Sequence, residues 1–263
     1  MSRSSIVKAV LAWLRMVLWA GLGLQIFFVA QIGLMRFIDP PSTAFERSQI
    51  WQILRQQGQL PWRQDWVGAG QISGNLKRAV MASEDSAFLQ HNGVWWESIE
   101  KAWGRNEKAK AKAAQQAAQQ TGKRAEKQGS KASASGSAPA AKIVGGSTIT
   151  QQLAKNLMLS GERTLLRKGQ EFVLTLALEA LLPKQRILEI YLNHVEWGEG
   201  VFGAEAAARH YFKKPAAQLS AWEAARLAVM LPRPRYFEKR PQSPYLADRT
   251  QTIVNRMNDV VAP

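Results

Sequence analysis

The chain has 263 residues, 46% of them hydrophobic, which is enough to form a sizeable core and excludes global disorder. Lys and Arg number 35 against 20 Asp and Glu, so the formal net charge of +15 indicates a polyanionic partner: nucleic acid, anionic lipid or a phosphate-bearing substrate. There is no cysteine, which excludes disulfides and thiolate metal sites, and three histidines argue against a zinc centre.

An uncharged apolar stretch runs from Met16 to Met35. Its 20 residues would rise about 30 Å as a helix, the thickness of a bilayer core, and no cleavage site follows. We therefore predict a membrane anchor within residues 1–38, with a buried helix of a soluble protein as the alternative. The Lys and Arg residues before the stretch predict a cytoplasmic N-terminus, with the chain after Pro40 outside.

Residues 39–72 contain Trp51, Trp62 and Trp66, which is typical of a juxtamembrane region. We assign residues 73–263 to one soluble domain, whose first part, 73–104, is predicted to be helical. A low-complexity stretch of Ala, Lys, Gln, Gly and Ser follows at about 105–142. It has no side chain able to join a core, so a mobile loop is predicted. Because no aromatic residue interleaves its charges, a nucleic-acid arm is not favoured and no nucleic-acid partner is predicted.

Apolar residues return at helical spacings after residue 143, and prolines separate the runs. No alternating strand pattern is visible, so the soluble part is predicted to be mainly α-helical. The predicted helices are Leu165–Leu182, Lys184–Tyr191, Gly203–Phe212, Ala221–Leu231 and Tyr245–Val260.

Leu76, Val80, Glu84 and Phe88 recur every four residues, which places Glu84 within an apolar helical stripe. Desolvation would raise the basicity of a carboxylate there, which makes Glu84 a candidate general base or acid. The alternative is a carboxylate at a helix end that simply reaches solvent.

Two further clusters have the composition of an anion site. Gly145-Gly146-Ser147-Thr148 precedes a predicted helix, whose free N–H groups favour an anion, although the same residues also form ordinary helix starts. Arg167 and Glu171 are spaced to share a helix face beside Lys168, either as a surface ion pair or at a charged cleft.

Together these segments resemble the glycosyltransferase domain of peptidoglycan polymerases, in its monofunctional form. The motifs, in chain order, are Glu84-Asp85-x-x-Phe88-x-x-His91-x-Gly93, GGSTITQQLAKN at 145–156, Arg167-Lys168-x-x-Glu171, Lys184-x-x-Ile187-Leu188-Glu189-x-Tyr191-Leu192-Asn193, and Gly203-Ala204 through Tyr211-Phe212-x-Lys214. The chain departs from the family at 105–142, where relatives have a much shorter loop.

The resemblance implies a lysozyme-like, two-lobed, mainly α fold behind a single transmembrane helix. It implies that Glu84 takes the proton from the 4-hydroxyl of the acceptor lipid II, whose oxygen then displaces undecaprenyl pyrophosphate from the growing strand with inversion. Glu171 resembles a second essential carboxylate, whereas Glu179, Glu189 and Asn193 are expected to be structural. The residues expected to bind pyrophosphate or sugar are Lys155, Arg163, Arg167, Lys168, Asp85, His91, Ser147, Thr148, Gln151, Gln152 and Asn156.

The expected partners are lipid II, the growing glycan strand and the bilayer of the inner membrane, with the catalytic domain in the periplasm. No tightly bound cofactor or protein metal site is expected, and a divalent cation (Mg or Mn) carried with the substrate is left open. Other wall-synthesis or division proteins are also left open as partners. Two alternatives are a lysozyme-like lytic hydrolase, which would not need the cations around Glu171, and a non-catalytic membrane scaffold, which would not need a desolvated Glu84.

Overall fold

The computed structural model describes residues 3–97, 146–159 and 164–263, together with positions 100, 104, 107, 108 and 111. Met1–Gly93 and Thr148–Pro263 form one compact unit, and Val94–Ser147 forms a second. The stretch at 105–142, for which the sequence predicts a mobile loop, lies almost entirely outside the described residues, and so does Arg163.

The N-terminal apolar stretch forms helix α1, Arg3–Leu34. By length and composition its segment Ser5–Leu34 can cross a membrane, and most of its side chains are exposed. The end of the helix is different, because Ile32 and the following Met35 are buried in the core of the larger unit. The apolar helix is therefore packed directly onto the folded domain at its C-terminal end.

Helix α2, Ala44–Gln57, begins with a capping box in which Glu46 Oε2 accepts from Thr43 N–H at 2.7 Å. Glu46 is fully buried, and its other carboxylate oxygen lies 2.7 Å from His194 Nδ1 and 2.8 Å from Gln64 Nε2. One carboxylate thus joins the start of α2 to two distant segments of the chain.

Replacing Glu46 by Ala is expected to lower the free energy of unfolding by about 3–5 kcal/mol, because the donors now bonded to the carboxylate would stay buried without an acceptor. Gln57→Ala is the matched control. Gln57 lies on α2, as Glu46 does, but it is exposed, and the substitution removes its hydrogen bond of 3.0 Å to Glu199. The cost should be at most about 0.5 kcal/mol. Urea unfolding in detergent, followed by circular dichroism, compares the two variants. Equal stabilities would show that the buried carboxylate does not fasten α2.

A three-stranded sheet is present that the sequence did not predict, with the strand order β1-β3-β2. Its strands are β1 (Arg63–Gln64), β2 (Glu196–Gly198) and β3 (Val201–Phe202). The prediction of no strands is wrong here because segments of two or three residues are too short to show an alternating pattern. Since β1 pairs in parallel with β3, the region 39–72 is hydrogen-bonded into the same unit as the later helices.

Helix α3, Gly74–Glu84, buries Leu76 and Val80, as their four-residue spacing predicts. Phe88 is also buried, but it lies in the turns that follow, because Asp85 ends the helix with φ −160° and ψ 75°. The predictions of one helical stripe through Phe88 and of helix throughout 73–104 are therefore wrong for residues 85–95. Glu84 is the last residue of its helix.

The remaining helices pack around one buried core, and those that the sequence predicted end within four residues of the expected positions. The contacts that position the site are those of α4 with α5 and α6, of α1 with α5, and of α3 with α8. The prediction of a mainly α fold is confirmed. These helices are α4 (Ile149–Met158), α5 (Leu165–Leu181), α6 (Lys184–His194), α7 (Ala204–Phe212), α8 (Ala221–Met230), α9 (Pro234–Glu238) and α10 (Pro244–Arg256).

Candidate active site

The carboxylate of Glu84 is held at the end of α3 by two neighbouring side chains. Gln152 Nε2 donates to Glu84 Oε2 at 3.0 Å, and Ser83 Oγ donates to Glu84 Oε1 at 3.3 Å. Burial raises the pKa of the Glu84 carboxyl above its ordinary value, these two hydrogen bonds oppose the shift, and the charge of Asp85 adds to it. A partly exposed carboxylate with a raised pKa is suited to accept a proton from a bound hydroxyl.

Asp85 and His91, which the sequence assigns to substrate binding, are buried and bonded to each other. His91 Nε2 lies 2.9 Å from Asp85 Oδ1, and Asp85 Oδ2 accepts from the backbone N–H of Ile149 at 3.1 Å. The anion at the N-terminus of α4 is therefore the chain's own Asp85 carboxylate. Both side chains therefore help to hold the loop after Glu84 in place, and their contact with substrate stays a prediction.

The end of this loop fits closely against α5. Gly93 has φ +82°, and a Cβ there would lie 2.6 Å from Thr175 Cγ2 and 2.9 Å from Glu179 Cγ, so only glycine fits. Lys184 Nζ donates to His91 O at 2.7 Å and to Glu179 Oε1 at 2.8 Å. The loop between Glu84 and Gly93 is thus fixed to the start of α6 and to the later part of α5.

The start of α4 is capped by residues of the second motif. Thr148 Oγ1 accepts from Gln151 N–H and Gln151 Oε1 accepts from Thr148 N–H, both at 3.2 Å, while Thr148 Oγ1 donates to Gly93 O at 2.6 Å. The side chains of Thr148 and Gln151 are therefore buried and form hydrogen bonds within the protein, whereas Ser147, just before them, is exposed. Of the glutamine pair, Gln152 is the residue that reaches Glu84.

Helices α4 and α5 are antiparallel, since Thr150 at the start of α4 donates to Glu179 Oε1 near the end of α5 at 2.5 Å. The end of α4 is consequently next to the start of α5. Lys155 is exposed near that end, and Asn156 beside it is largely buried. The structure thus brings Lys155 to the same end of the helix pair as the basic start of α5.

At the start of α5, one buried carboxylate holds two cations. Glu171 is 3% exposed, its Oε2 accepts from Arg167 Nη1 at 3.0 Å, and its Oε1 is paired with Lys168 Nζ. Arg167 Nε is buried and has no hydrogen-bond partner among the described residues. The geometry makes Glu171 a positioning group for the cations, and Arg163 falls outside the described residues.

The arrangement at Glu171 does not fit a protein-bound divalent metal. Both of its oxygens already face cations. Within residues 3–97, 146–159 and 164–263, no group of three or more His, Asp or Glu side chains could hold a metal ion.

The basic cluster also lies beside the apolar helix. The side-chain amides of Gln25 on α1 and Gln170 on α5 donate to each other, at 2.7 and 3.0 Å. Gln170 directly precedes Glu171, so the helix that presents Arg167 is bonded to the candidate membrane span. The three other polar residues expected to be structural, Glu179, Glu189 and Asn193, are bonded within the protein.

A helical domain behind a long apolar helix, with one desolvated carboxylate and a separate cationic cluster, has the groups that glycosyl transfer from a phosphate-bearing donor requires. The sequence profile of the transglycosylase family matches residues 52–134 and 127–258. Biosynthetic peptidoglycan transglycosylases of Burkholderia thailandensis and Paraburkholderia xenovorans are each 46% identical over 244 residues, covering 93% of this chain and 84% and 89% of the relatives. The chain belongs to the transglycosylase family. The predictions of a glycosyltransferase and of a mainly α, lysozyme-like domain are confirmed.

Proposed function

We propose that this chain polymerises lipid II into the glycan strands of peptidoglycan. The observation that carries the proposal is that Glu84, a carboxyl whose pKa is raised, is bonded to Gln152 on α4, and that α4 packs against α5, which carries the Arg167–Lys168–Glu171 cluster. A base activates a hydroxyl, and a cationic cluster stabilises a departing phosphate group, so the two together suit glycosyl transfer from a pyrophosphate.

In the proposed step, Glu84 takes the proton of the 4-hydroxyl of N-acetylglucosamine in the acceptor lipid II. The oxygen's electron pair forms the new bond to the anomeric carbon of the growing strand from the face opposite the leaving group. The bond from that carbon to the pyrophosphate oxygen breaks, and undecaprenyl pyrophosphate departs with the electron pair. The anomeric configuration is therefore inverted, and the proton stays on Glu84 until solvent removes it.

The leaving pyrophosphate is assigned to the basic end of the α4–α5 pair. Arg167 there has an Nε–H without an acceptor among the described residues, and Lys155 is exposed one turn beyond Gln152. A guanidinium suits bidentate contact with phosphate oxygens, and Glu171 fixes its orientation. Mg or Mn carried by the substrate's pyrophosphate stays a prediction that activity with and without chelator tests.

We place the active domain at the periplasmic face of the inner membrane, with a cytoplasmic N-terminus. Lys8 and Arg15 lie in the N-terminal half of α1, which favours that orientation. Exposed apolar side chains on α5, beside α1, would contact lipid and bring the basic cluster close to the substrate's phosphates. These residues are Leu165, Leu166, Phe172, Val173 and Leu176.

The direct test is product analysis with the purified full chain and lipid II in detergent or vesicles. Polymeric glycan that a muramidase degrades, with release of undecaprenyl pyrophosphate, is expected. Cleavage of preformed strands without polymer would favour a lytic hydrolase, and no turnover of either substrate would favour a scaffold. Either of these results would overturn the proposal.

Deleting about residues 108–140, which the structure leaves almost wholly undescribed, is expected to give a folded and active enzyme, because the stretch has no residue able to join a core. Binding to anionic vesicles should weaken, and about 0.15 M or more salt should mask the difference. The control keeps the length and replaces by Gln the seven Lys and Arg residues between 108 and 131. Loss of folding or of low-salt activity in the deletion would show that the stretch is structural.

A further inference from the structure

Tyr191, which carries no assigned function, is linked to Glu84 through one intermediate side chain. Tyr191 lies on α6 and is 1% exposed, and its hydroxyl donates to Gln152 Oε1 at 2.9 Å. The other end of the same amide donates from Gln152 Nε2 to Glu84 Oε2 at 3.0 Å. A hydrogen-bonded chain thus runs from Tyr191 on α6 through Gln152 on α4 to the candidate base, Glu84, on α3.

The direction of these bonds matters because the two ends of an amide are different. A charged carboxylate needs an N–H donor, whereas the amide oxygen would repel it. If the Gln152 amide were reversed, its oxygen would face Glu84 and would favour the protonated, catalytically inactive carboxyl. The orientation of Gln152 therefore determines whether Glu84 is stabilised as a base or as an acid.

The phenol is suited to fix that orientation because it remains a donor. Burial, together with the negative charges of Glu84 and Asp85, raises the pKa of Tyr191 well above its ordinary value, so the hydroxyl keeps its proton. Its donated hydrogen requires the carbonyl end of Gln152, which leaves the NH₂ end for Glu84. Phenylalanine would fill nearly the same volume in the core but could not make this selection.

We propose that Tyr191 is a positioning residue for the catalytic base: its hydroxyl orients the Gln152 amide so that the N–H end faces Glu84. The proposal rests on the proposed function, in which Glu84 is the base. In this arrangement the Tyr191 hydroxyl acts on Glu84 through Gln152.

The test is the pH dependence of kcat for the full-length Tyr191→Phe enzyme with lipid II. The acid limb of kcat reports the pKa of the base in the enzyme–substrate complex. Loss of an oriented donor should move that limb up by about 0.5–1 pH unit, because the charged form of Glu84 is less stabilised. The plateau kcat should fall roughly two- to tenfold, the effect of one hydrogen bond, with KM little changed.

Three further variants separate positioning from general damage. Gln152→Leu should shift the acid limb in the same direction, and adding Tyr191→Phe to it should cause no additional shift, because the hydroxyl acts only through the amide. Tyr211→Phe removes another phenol hydroxyl, bonded to Trp197 O at 2.8 Å, and should leave the acid limb where it is.

An acid limb that stays in place in Tyr191→Phe would overturn the proposal, whether kcat is retained or falls together with the thermal midpoint. An additive shift in the double variant would overturn it as well. Failure of the proposed function gives a different result, since the unmodified enzyme would then form no polymer from lipid II.

Discussion

Replacing Glu84 by Gln is expected to abolish most glycan polymerisation, with a fall in kcat of about 10²–10⁴-fold. The amide has nearly the same shape but cannot take the hydroxyl proton. The thermal midpoint should not fall, because the substitution removes a carboxylate whose charged form is disfavoured by burial. Initial rates with lipid II and thermal unfolding of the same preparation measure both effects.

The unmodified enzyme should lose activity as the pH falls through the raised pKa of Glu84, because protonation removes the base. Asp248→Asn makes a comparable change at an exposed position on α10 and should leave the rate unchanged. If the Glu84→Gln enzyme kept more than about a tenth of the unmodified enzyme's rate, the retained rate would be far above the one expected, and another group would have to be the base.

Replacing Arg167 by Ala is expected to lower the polymerisation rate about 10²–10³-fold, the effect of losing one preorganised contact to developing charge, or about 3–4 kcal/mol. Lysine at this position should restore only part of the rate, because a point charge cannot reproduce the bidentate contact of a guanidinium. Some loss of stability is also expected, since Arg167 is paired with the buried Glu171, although Lys168 would still neutralise that carboxylate.

Arg209→Ala provides a control for the loss of a cation paired with a buried carboxylate. Arg209 is paired with Glu205 four residues earlier on α7, at 2.7 Å, and that carboxylate is also buried. Its removal should cost less stability than the loss of Arg167, because the Arg209 side chain is 61% exposed and that of Arg167 only 17%, and it should leave the polymerisation rate nearly normal. Near-normal polymerisation by Arg167→Ala would exclude Arg167 from the site, and strand cleavage that survives the substitution would favour the hydrolase alternative.

The catalytic candidates were the part of the site that local spacing could reveal. Glu84 follows Leu76 and Val80 at four-residue intervals, and Arg167 precedes Glu171 by four, which places each set on one helical face whatever the rest of the chain does. The structure places these residues on α3 and α5, with the ion pair formed.

Local spacing could not reveal the hydrogen-bond partners of Asp85 and His91. The motif resemblance places them with the substrate-binding residues, and the structure adds that Asp85 accepts from Ile149 N–H, 64 positions along the chain. A polar residue beside a catalytic one has the same sequence signal whether it binds substrate or supports a loop. Only the position of its partner separates the two roles.

The sequence by itself determined the long apolar N-terminal helix, the helical class, and the positions of Glu84 and of the Arg167–Glu171 pair on their helices, because helix geometry relates residues three and four positions apart and a bilayer sets the length of an apolar run. The tertiary structure decided which buried polar groups meet: Glu46 with His194 across 148 positions, and Tyr191 with Gln152 across 39. Such pairs leave no period in the sequence. They form because a polar group buried by helix packing needs a hydrogen-bond partner, and the packing of distant segments determines which partner is within reach.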